Sequence, residues 1–305
     1  MFRIFSLEKK NWFTMGMATS FFKCKHSLTC NGTILDLSMP VVMGIINVTT
    51  DSFYGASQFR MKYRIKQRAQ SIINQGGTII DIGACSTRPG SIPVSVDEEI
   101  KRLSKALETI RKVLPEAVIS VDTFRAEVAK QVVRNFNVNI INDISAGDMD
   151  PAMFETIAEL NVPYIIMHMR GTPQTMQNNP VYENVVKNII KYFTEKIDKL
   201  KSLGINDILI DPGFGFGKNS DHNFALLKNL EAFSIFDIPI VAGLSRKSMV
   251  YKSLETTPED ALNGTTSLNT IALLKGASVL RVHDVHEACE AIKLVGLTQQ
   301  QQTIE

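Results

Sequence analysis

The 305-residue sequence is poor in cysteine, and the scarcity excludes a class of protein at once. Cys24, Cys30, Cys85 and Cys289 are too few and too scattered for a disulfide framework, and none stands at zinc-ligand spacing from a histidine. A reducing compartment and a cytoplasmic location are expected. No apolar run reaches the ~20 residues of a membrane-spanning helix. The N-terminus also lacks the continuous apolar core and small-residue cleavage site of a secretory signal. Charge of one sign is missing too: 33 basic residues against 31 acidic ones leave a formal net charge of +2, with no basic block. No nucleic-acid or membrane partner is therefore expected, and any anion site must be local. No glycine-rich dinucleotide turn follows the first apolar run, and no Ser-His-Asp or Cys-His arrangement offers a nucleophile.

What the sequence does contain is a rhythm. Apolar runs rich in β-branched residues recur at 41–48, 78–83, 117–122, 139–144, 163–169, 207–211, 238–245 and 277–283. Each suits a parallel strand buried on both faces. Between them lie helix-period stretches at 62–75, 96–114, 125–136, 151–161, 181–203, 221–233, 258–275 and 286–297. Helix stops are supplied by Gly76, Gly204 and Gly276. In the fifth stretch Val181, Val185, Val186, Ile189, Ile190, Phe193, Ile197 and Leu200 form one apolar stripe, as on a helix packed outside a barrel. Eight β-α units joined by right-handed crossovers predict a single α/β domain, a (β/α)8 TIM barrel, over residues 28–297. An Asn-Gly signal at Asn31 and Gly32 predicts a short hairpin capping its bottom. Residues 1–27, with Met15 and Met17 as alternative starts, are expected to be a peripheral extension, and 298–305 a polar tail.

In a (β/α)8 barrel the functional groups gather where the strands end. The runs end in or near Asn47, Asp81, Asp122, Asn142, His168, Asp211, Ser245 and Arg281, with Lys247 and His283 just beyond. Individually these have structural alternatives: Asp122 and Asp211 as helix N-caps, Asn142 as a turn former, Lys247 as a solvated charge. Together they make a pocket that handles anions and heteroatoms. Arg281 and His283 are separated by one residue and should point the same way, a fixed cation beside a titratable one. The alternative pairs Arg281 with Asp284 or Asp81 as a brace. His168 is expected to hydrogen-bond in the core, and His26, His222 and His286 to lie at the surface or in caps. Phe214 and Phe216 alternate, so only one should face the pocket.

Eight stretches taken in order resemble dihydropteroate synthase: Asn47-Val-Thr-Thr-Asp-Ser-Phe53, Asp81-Ile-Gly-Ala-Cys-Ser-Thr-Arg-Pro-Gly90, Ser120-Val-Asp-Thr123, Asn142-Asp-Ile144, Met167-His-Met-Arg-Gly-Thr172, Asp211-Pro-Gly-Phe-Gly-Phe-Gly-Lys218, Ser245-Arg-Lys247 and Arg281-Val-His-Asp284. The resemblance implies a barrel that condenses 6-hydroxymethyl-7,8-dihydropterin pyrophosphate with 4-aminobenzoate for folate synthesis. It implies a dissociative loss of pyrophosphate, with Asp122, Asp211 and Lys247 as catalytic groups. The pterin would meet Asp122, Asn142, Ile144, Met167, Asp211 and Lys247. The 4-aminobenzoate, or a sulfonamide in its place, would meet Phe53, Ser86, Thr87, Arg88, Pro89, Phe214 and Ser245. Pyrophosphate would meet Asn47, Thr87, Arg88, Arg281 and His283, with Mg²⁺ at Asn47. A homodimer is likewise implied, and the last two helical stretches, 258–275 and 286–297, are expected to form its contact.

The sequence departs from the family pattern at Thr50, at Tyr54-Gly-Ala-Ser57 and at Ala84-Cys85, where altered loop stiffness is expected. Two other readings are a pterin-binding methyltransferase barrel and a non-catalytic pterin-binding homologue. Ser86-Thr-Arg-Pro89 and Ser245-Arg-Lys247 argue against the first, and retention of Asn47 and Asp51 against the second.

Overall fold

A computed structural model of the chain describes residues 27–48, 56–85, 94–176 and 180–299. A hairpin comes first, β1 (Ser27–Cys30) and β2 (Thr33–Asp36), paired antiparallel with Cys30 opposite Thr33. The turn is possible because Asn31 and Gly32 both take positive φ, 48° and 84°, which fits the twist of a two-residue hairpin.

Parallel strands then alternate with helices: β3 (Val41–Asn47), α1 (Ala56–Asn74), β4 (Ile79–Gly83), α2 (Val96–Val113), β5 (Val118–Asp122), α3 (Ala126–Phe136), β6 (Ile140–Asp143) and α4 (Met153–Leu160). The second half continues with β7 (Tyr164–Met167), α5 (Val185–Ser202), β8 (Ile208–Asp211), α6 (Ser220–Lys228), β9 (Ile240–Ala242), α7 (Ser248–Tyr251), α8 (Leu262–Leu274), β10 (Ala277–Val282) and α9 (Val285–Gln299). Strands β3 to β10 close on themselves, with β10 pairing β3. The predicted (β/α)8 barrel and its hairpin are both present.

Three details differ from expectation. The sixth helical stretch splits into α6 and a 3-10 segment at Leu230–Phe236. The seventh is preceded by the one-turn α7. The fifth helix begins at Val185, where the Asn184 side chain accepts from the Lys187 N–H, so Val181 falls outside it and is exposed.

Side chains alternate across each strand, and the alternation builds two cores. Val42, Ile80, Ile82, Val121, Ile141, Ile166, Ile210 and Leu280 point outward into the layer shared with the helices. Met43, Ile79, Ile140, Ile165, Leu209, Val241 and Val279 point inward and fill the barrel's lower half. Leu28, Cys30, Leu35 and Leu37 of the hairpin join this inner cluster and plug the barrel's N-terminal end. One alternation further up, the inward positions change character, to Asp81, Ser120, Asn142, Met167, Asp211 and Arg281. Apolar filling below and polar groups above is therefore a direct consequence of strand register.

Outside the barrel, Asp143 is wholly buried between β6 and β7. It accepts from the Ser145 N–H and hydroxyl at 2.7 Å, the Gly147 N–H at 2.8 Å and the Tyr164 hydroxyl at 2.6 Å. Burial pushes its carboxyl up, and these donors oppose the shift. Removing one donor from a buried carboxylate costs about 1–3 kcal/mol. A Tyr164→Phe variant should lose that much in urea unfolding while keeping its circular dichroism spectrum. No measurable loss would mean that Asp143 does not need this donor.

Candidate active site

The barrel's upper interior holds more charge than a closed space tolerates unpaired. Asp81, fully buried, sits third of five residues on β4, one alternation below the tip rather than at it. Its carboxylate accepts from Arg281 Nε at 2.7 Å. The same guanidinium donates through Nη2 to Asp122 Oδ2 at 2.9 Å, and the Asn142 amide lies 3.4 Å from Asp81. Four strands, β4, β5, β6 and β10, are thereby laced together. Burial lowers the Arg281 pKa, but Asp81 and Asp122 outweigh it and hold the guanidinium charged. Burial also lifts the Asp122 carboxyl to about 7, against the pull of Arg281. The Ser120 hydroxyl, beside Asp81 on β5, is buried without a hydrogen-bond partner among the described residues.

Arg281 thus pairs with Asp81, one of the two partners named for it as a brace, and with Asp122 as well. Asp284 takes no part. It forms a two-point ion pair with Arg246, Nε–Oδ2 and Nη2–Oδ1 both 2.9 Å. Arg246, at φ 54°, also donates to the Pro258 carbonyl and holds the turn between Ser245 and Lys247.

On the opposite wall, Asp211 ends β8 and accepts from the Gly213 N–H at 2.7 Å. Burial raises its carboxyl, while nearby Lys247 lowers it. Lys247 donates to the Phe214 carbonyl at 2.5 Å, and its ammonium lies 4.9 Å from the Phe216 ring centroid. Burial brings the Lys247 ammonium down to about 8, with Asp211 opposing. The ring beside the lysine is therefore Phe216. Phe214, expected at the pocket, is fully buried in the outer core. Alternation along the loop separates the two: Phe214 packs in the apolar layer and Phe216 lies beside Lys247.

His283 lies one residue beyond β10. Its Nδ1 is 3.0 Å from the Ser245 hydroxyl, and its N–H donates to the same oxygen at 3.1 Å. A hydroxyl that accepts one bond still has its own proton to give, so Ser245 Oγ can donate to Nδ1 of a neutral imidazole whose N–H is on Nε2. Burial and then Arg281 push His283 down to about 4, so it is neutral at physiological pH. Asn47 stands exposed at the end of β3, and Ile144 and Met167 are buried at the ends of β6 and β7. His168 is buried, as expected, with Nδ1 3.0 Å from Lys218 Nζ, and burial pushes it to about 2. His222 completes a capping box with Asn219, and His286 is exposed beside Glu290. Phe53, Ser86, Thr87, Arg88 and Pro89, with Thr50, Asp51 and Tyr54, lie outside the described residues, as does His26.

A ring of acceptors and donors above an apolar floor suits a flat heterocycle. The model of the pterin binding enzyme family matches residues 43–283. The chain belongs to that family. It is 43% identical to the dihydropteroate synthase of Escherichia coli strain K12, covering 89% of this chain and 96% of that one. It is 40% identical to the dihydropteroate synthase of Haemophilus influenzae, covering 88% and 97%. Among solved structures, the Yersinia pestis dihydropteroate synthase in complex with a sulfonamide drug superposes with a TM-score of 0.84 at 39% identity, covering 90% of this chain and 100% of that one. The Xanthomonas albilineans dihydropteroate synthase with 4-aminobenzoic acid gives 0.83 at 34% identity, covering 91% and 99%. The activity is that of a dihydropteroate synthase, a transferase of folate synthesis.

The synthase's brace has a measurable weight. Breaking a buried ion pair by removing one partner costs about 3–5 kcal/mol, so Arg281→Met should destabilise the fold by about that much in urea unfolding. Adding Asp81→Asn should recover part of the loss. An Arg281→Met variant as stable as the wild type would show that the two carboxylates do not depend on it.

Proposed function

We propose that the upper barrel of this synthase holds the pterin between Asp122, Asn142, Asp211 and Lys247, with Ile144 and Met167 against the ring. The supporting observation is that Asp122, Asn142 and Asp211 stand at three strand ends with Lys247 in the loop after β9, and that the Arg281 network, the Gly213 N–H on Asp211 and the Lys247 bond to the loop after β8 hold them in place. A pterin presents amide and amino donors on one edge, for which two carboxylates are fitting acceptors. Pyrophosphate takes Arg281, which uses two of its five N–H donors on Asp81 and Asp122 and has others to offer. His283, being neutral, contributes an N–H rather than charge. Thr87 and Arg88 complete this subsite.

Mg²⁺ fits as a companion of the pyrophosphate. The described residues contain no cluster of His, Cys, Asp or Glu that could hold a metal. Asn47 offers an exposed oxygen at the barrel mouth, and Mg²⁺ characteristically binds few protein oxygens together with water and phosphate. Bound there, it would neutralise charge developing on the leaving group. The 4-aminobenzoate subsite comprises Phe53, Ser86, Thr87, Arg88, Pro89 and Ser245, with Phe216 in place of Phe214.

In the reaction the bond from the pterin methylene to the pyrophosphate oxygen breaks first, and the cation left behind is delocalised over the ring. The aryl amine then forms the new C–N bond and loses a proton. Asp122 and Asp211 stabilise the positive charge, and Arg281 the departing anion. No enzyme nucleophile is needed.

The protein is read as a homodimer. Ile271 and Leu274 on α8, and Leu294 and Leu297 on α9, are exposed large apolar side chains on neighbouring helices, which supports contact there. Leu294→Asp should halve the mass measured by light scattering, and an unchanged mass would remove this contact.

Purified protein incubated with the pterin pyrophosphate, 4-aminobenzoate and Mg²⁺ should form dihydropteroate. Asp122→Asn and Asp211→Asn should each weaken pterin binding at least about tenfold, or ~1.4 kcal/mol. Unchanged calorimetric affinity in both would remove the pterin placement. The pH profile of kcat/KM should be a narrow bell. It rises as Asp122 ionises through about 7 and falls as Lys247 loses its proton through about 8. A flat profile between pH 6 and 9 would contradict these roles.

A further inference from the structure

Lys218 belongs to none of the subsites above, yet it is one of the most enclosed charged side chains of the fold, only 3% exposed. It ends the loop from Asp211 and folds back beneath it. Its Nζ lies 2.8 Å from the Gly213 carbonyl, 3.0 Å from the Phe216 carbonyl, 3.0 Å from His168 Nδ1 and 3.3 Å from the His168 carbonyl. Three of the four are backbone carbonyls, which only accept, and an ammonium has three protons to give. His168, held neutral, then accepts at Nδ1 and carries its proton on Nε2.

The loop is shaped around this contact. Gly213, Gly215 and Gly217 all have positive φ, and a Cβ at Gly213 would fall 2.0 Å from the His168 carbonyl oxygen. The Gly217 carbonyl accepts from the Tyr182 hydroxyl at 2.8 Å, and the Gly215 N–H donates to Asn223 at 2.7 Å. The Phe214 carbonyl, between the two that Lys218 holds, is the one Lys247 grips. Two ammonium groups thus share one stretch of backbone, Lys247 beside Asp211 and Phe216 and Lys218 behind them. Burial pushes the Lys218 ammonium's pKa well down, and Asp211 opposes the shift.

We infer that Lys218 is a positioning residue of the synthase, the internal cation around which the loop from Asp211 folds. Through that loop it sets the Phe216 ring and Lys247 in place against the substrates. It rests on the placement of Asp211 and Lys247 at the pterin.

The test compares Lys218→Met, which keeps the stem, with Lys218→Ala, which leaves room for a small cation. Both should raise the pterin Kd and the KM for 4-aminobenzoate about tenfold or more, with a smaller fall in kcat. Ethylammonium chloride should restore at least half of the lost affinity to Lys218→Ala, and tetramethylammonium chloride at the same concentration should not. Variants within about twofold of wild type, or a folded Lys218→Ala that no small ammonium rescues, would overturn the inference. Lys247→Met in the same assay keeps the readings apart: its normal pterin affinity would remove the placement at the pterin, whereas impaired Lys247→Met beside normal Lys218 variants removes only the role of Lys218. Nitrogen NMR of the wild-type protein labelled in its lysine side chains needs no variant to fold. It should show a protected ammonium resonance at neutral pH, and a full set of lysines all exchanging freely would equally overturn the inference.

Discussion

A carboxylate inside a closed barrel must find a cation or give up its charge, and Arg281 meets that requirement for two carboxylates at once. Asp81 is wholly buried on β4 and Asp122 ends β5, so one guanidinium ties the eighth strand of the barrel to the second and third. The planar fork suits the task as a lysine would not, because two donors on one rigid group fix two acceptors at a set separation. The geometry of the upper barrel follows from that strut. Asn142 packs its amide against Asp81 because Asp81 is already held, and His283 stays neutral partly because the same cation lies close.

The wall built on β8 and β9 obeys the same rule with lysine. Lys218 and Lys247 grip alternating carbonyls of a loop rich in glycine, and both sit close enough to Asp211 for their fields to matter. Ammonium groups are apt here because the acceptors surround them in three dimensions rather than lying in one plane. Guanidinium on one wall and ammonium on the other divide the labour by shape.

Much of this was legible in the sequence because parallel strands are apolar on both faces, so each reads as an uninterrupted run that stops where polar groups begin. Asp122 and Asp211 are the last residues of such runs. Hairpin and helix stops were equally open, since Asn31, Gly32, Gly76, Gly204 and Gly276 need a backbone region that few other residues enter. Asp81 is not the tip of its run, which ends at Gly83 in sequence and structure alike: the tip is a glycine with no side chain, so the polar group of this strand lies one alternation below it. The phenylalanines were harder still: Phe214 and Phe216 differ only in phase, and phase is set by which layer has room. Lys218, Asp143 and Arg246 give no sign in the sequence of shaping the site, because their partners are backbone atoms and residues such as Tyr164 and Asp284, which composition and spacing do not connect.

The hairpin at the barrel's foot is the first described element along the chain, and its contacts run far ahead of it. Its Thr29 N–H reaches Asp207, its Cys30 carbonyl accepts from Asn139, and its apolar side chains meet Val241 and Val279. The turn can form locally, but the socket it fills does not exist until β10 has come to lie beside β3. Order of assembly therefore runs against order of synthesis: an element made early must wait, with Leu28 and Leu35 in water, for the far end of the chain to finish its seat.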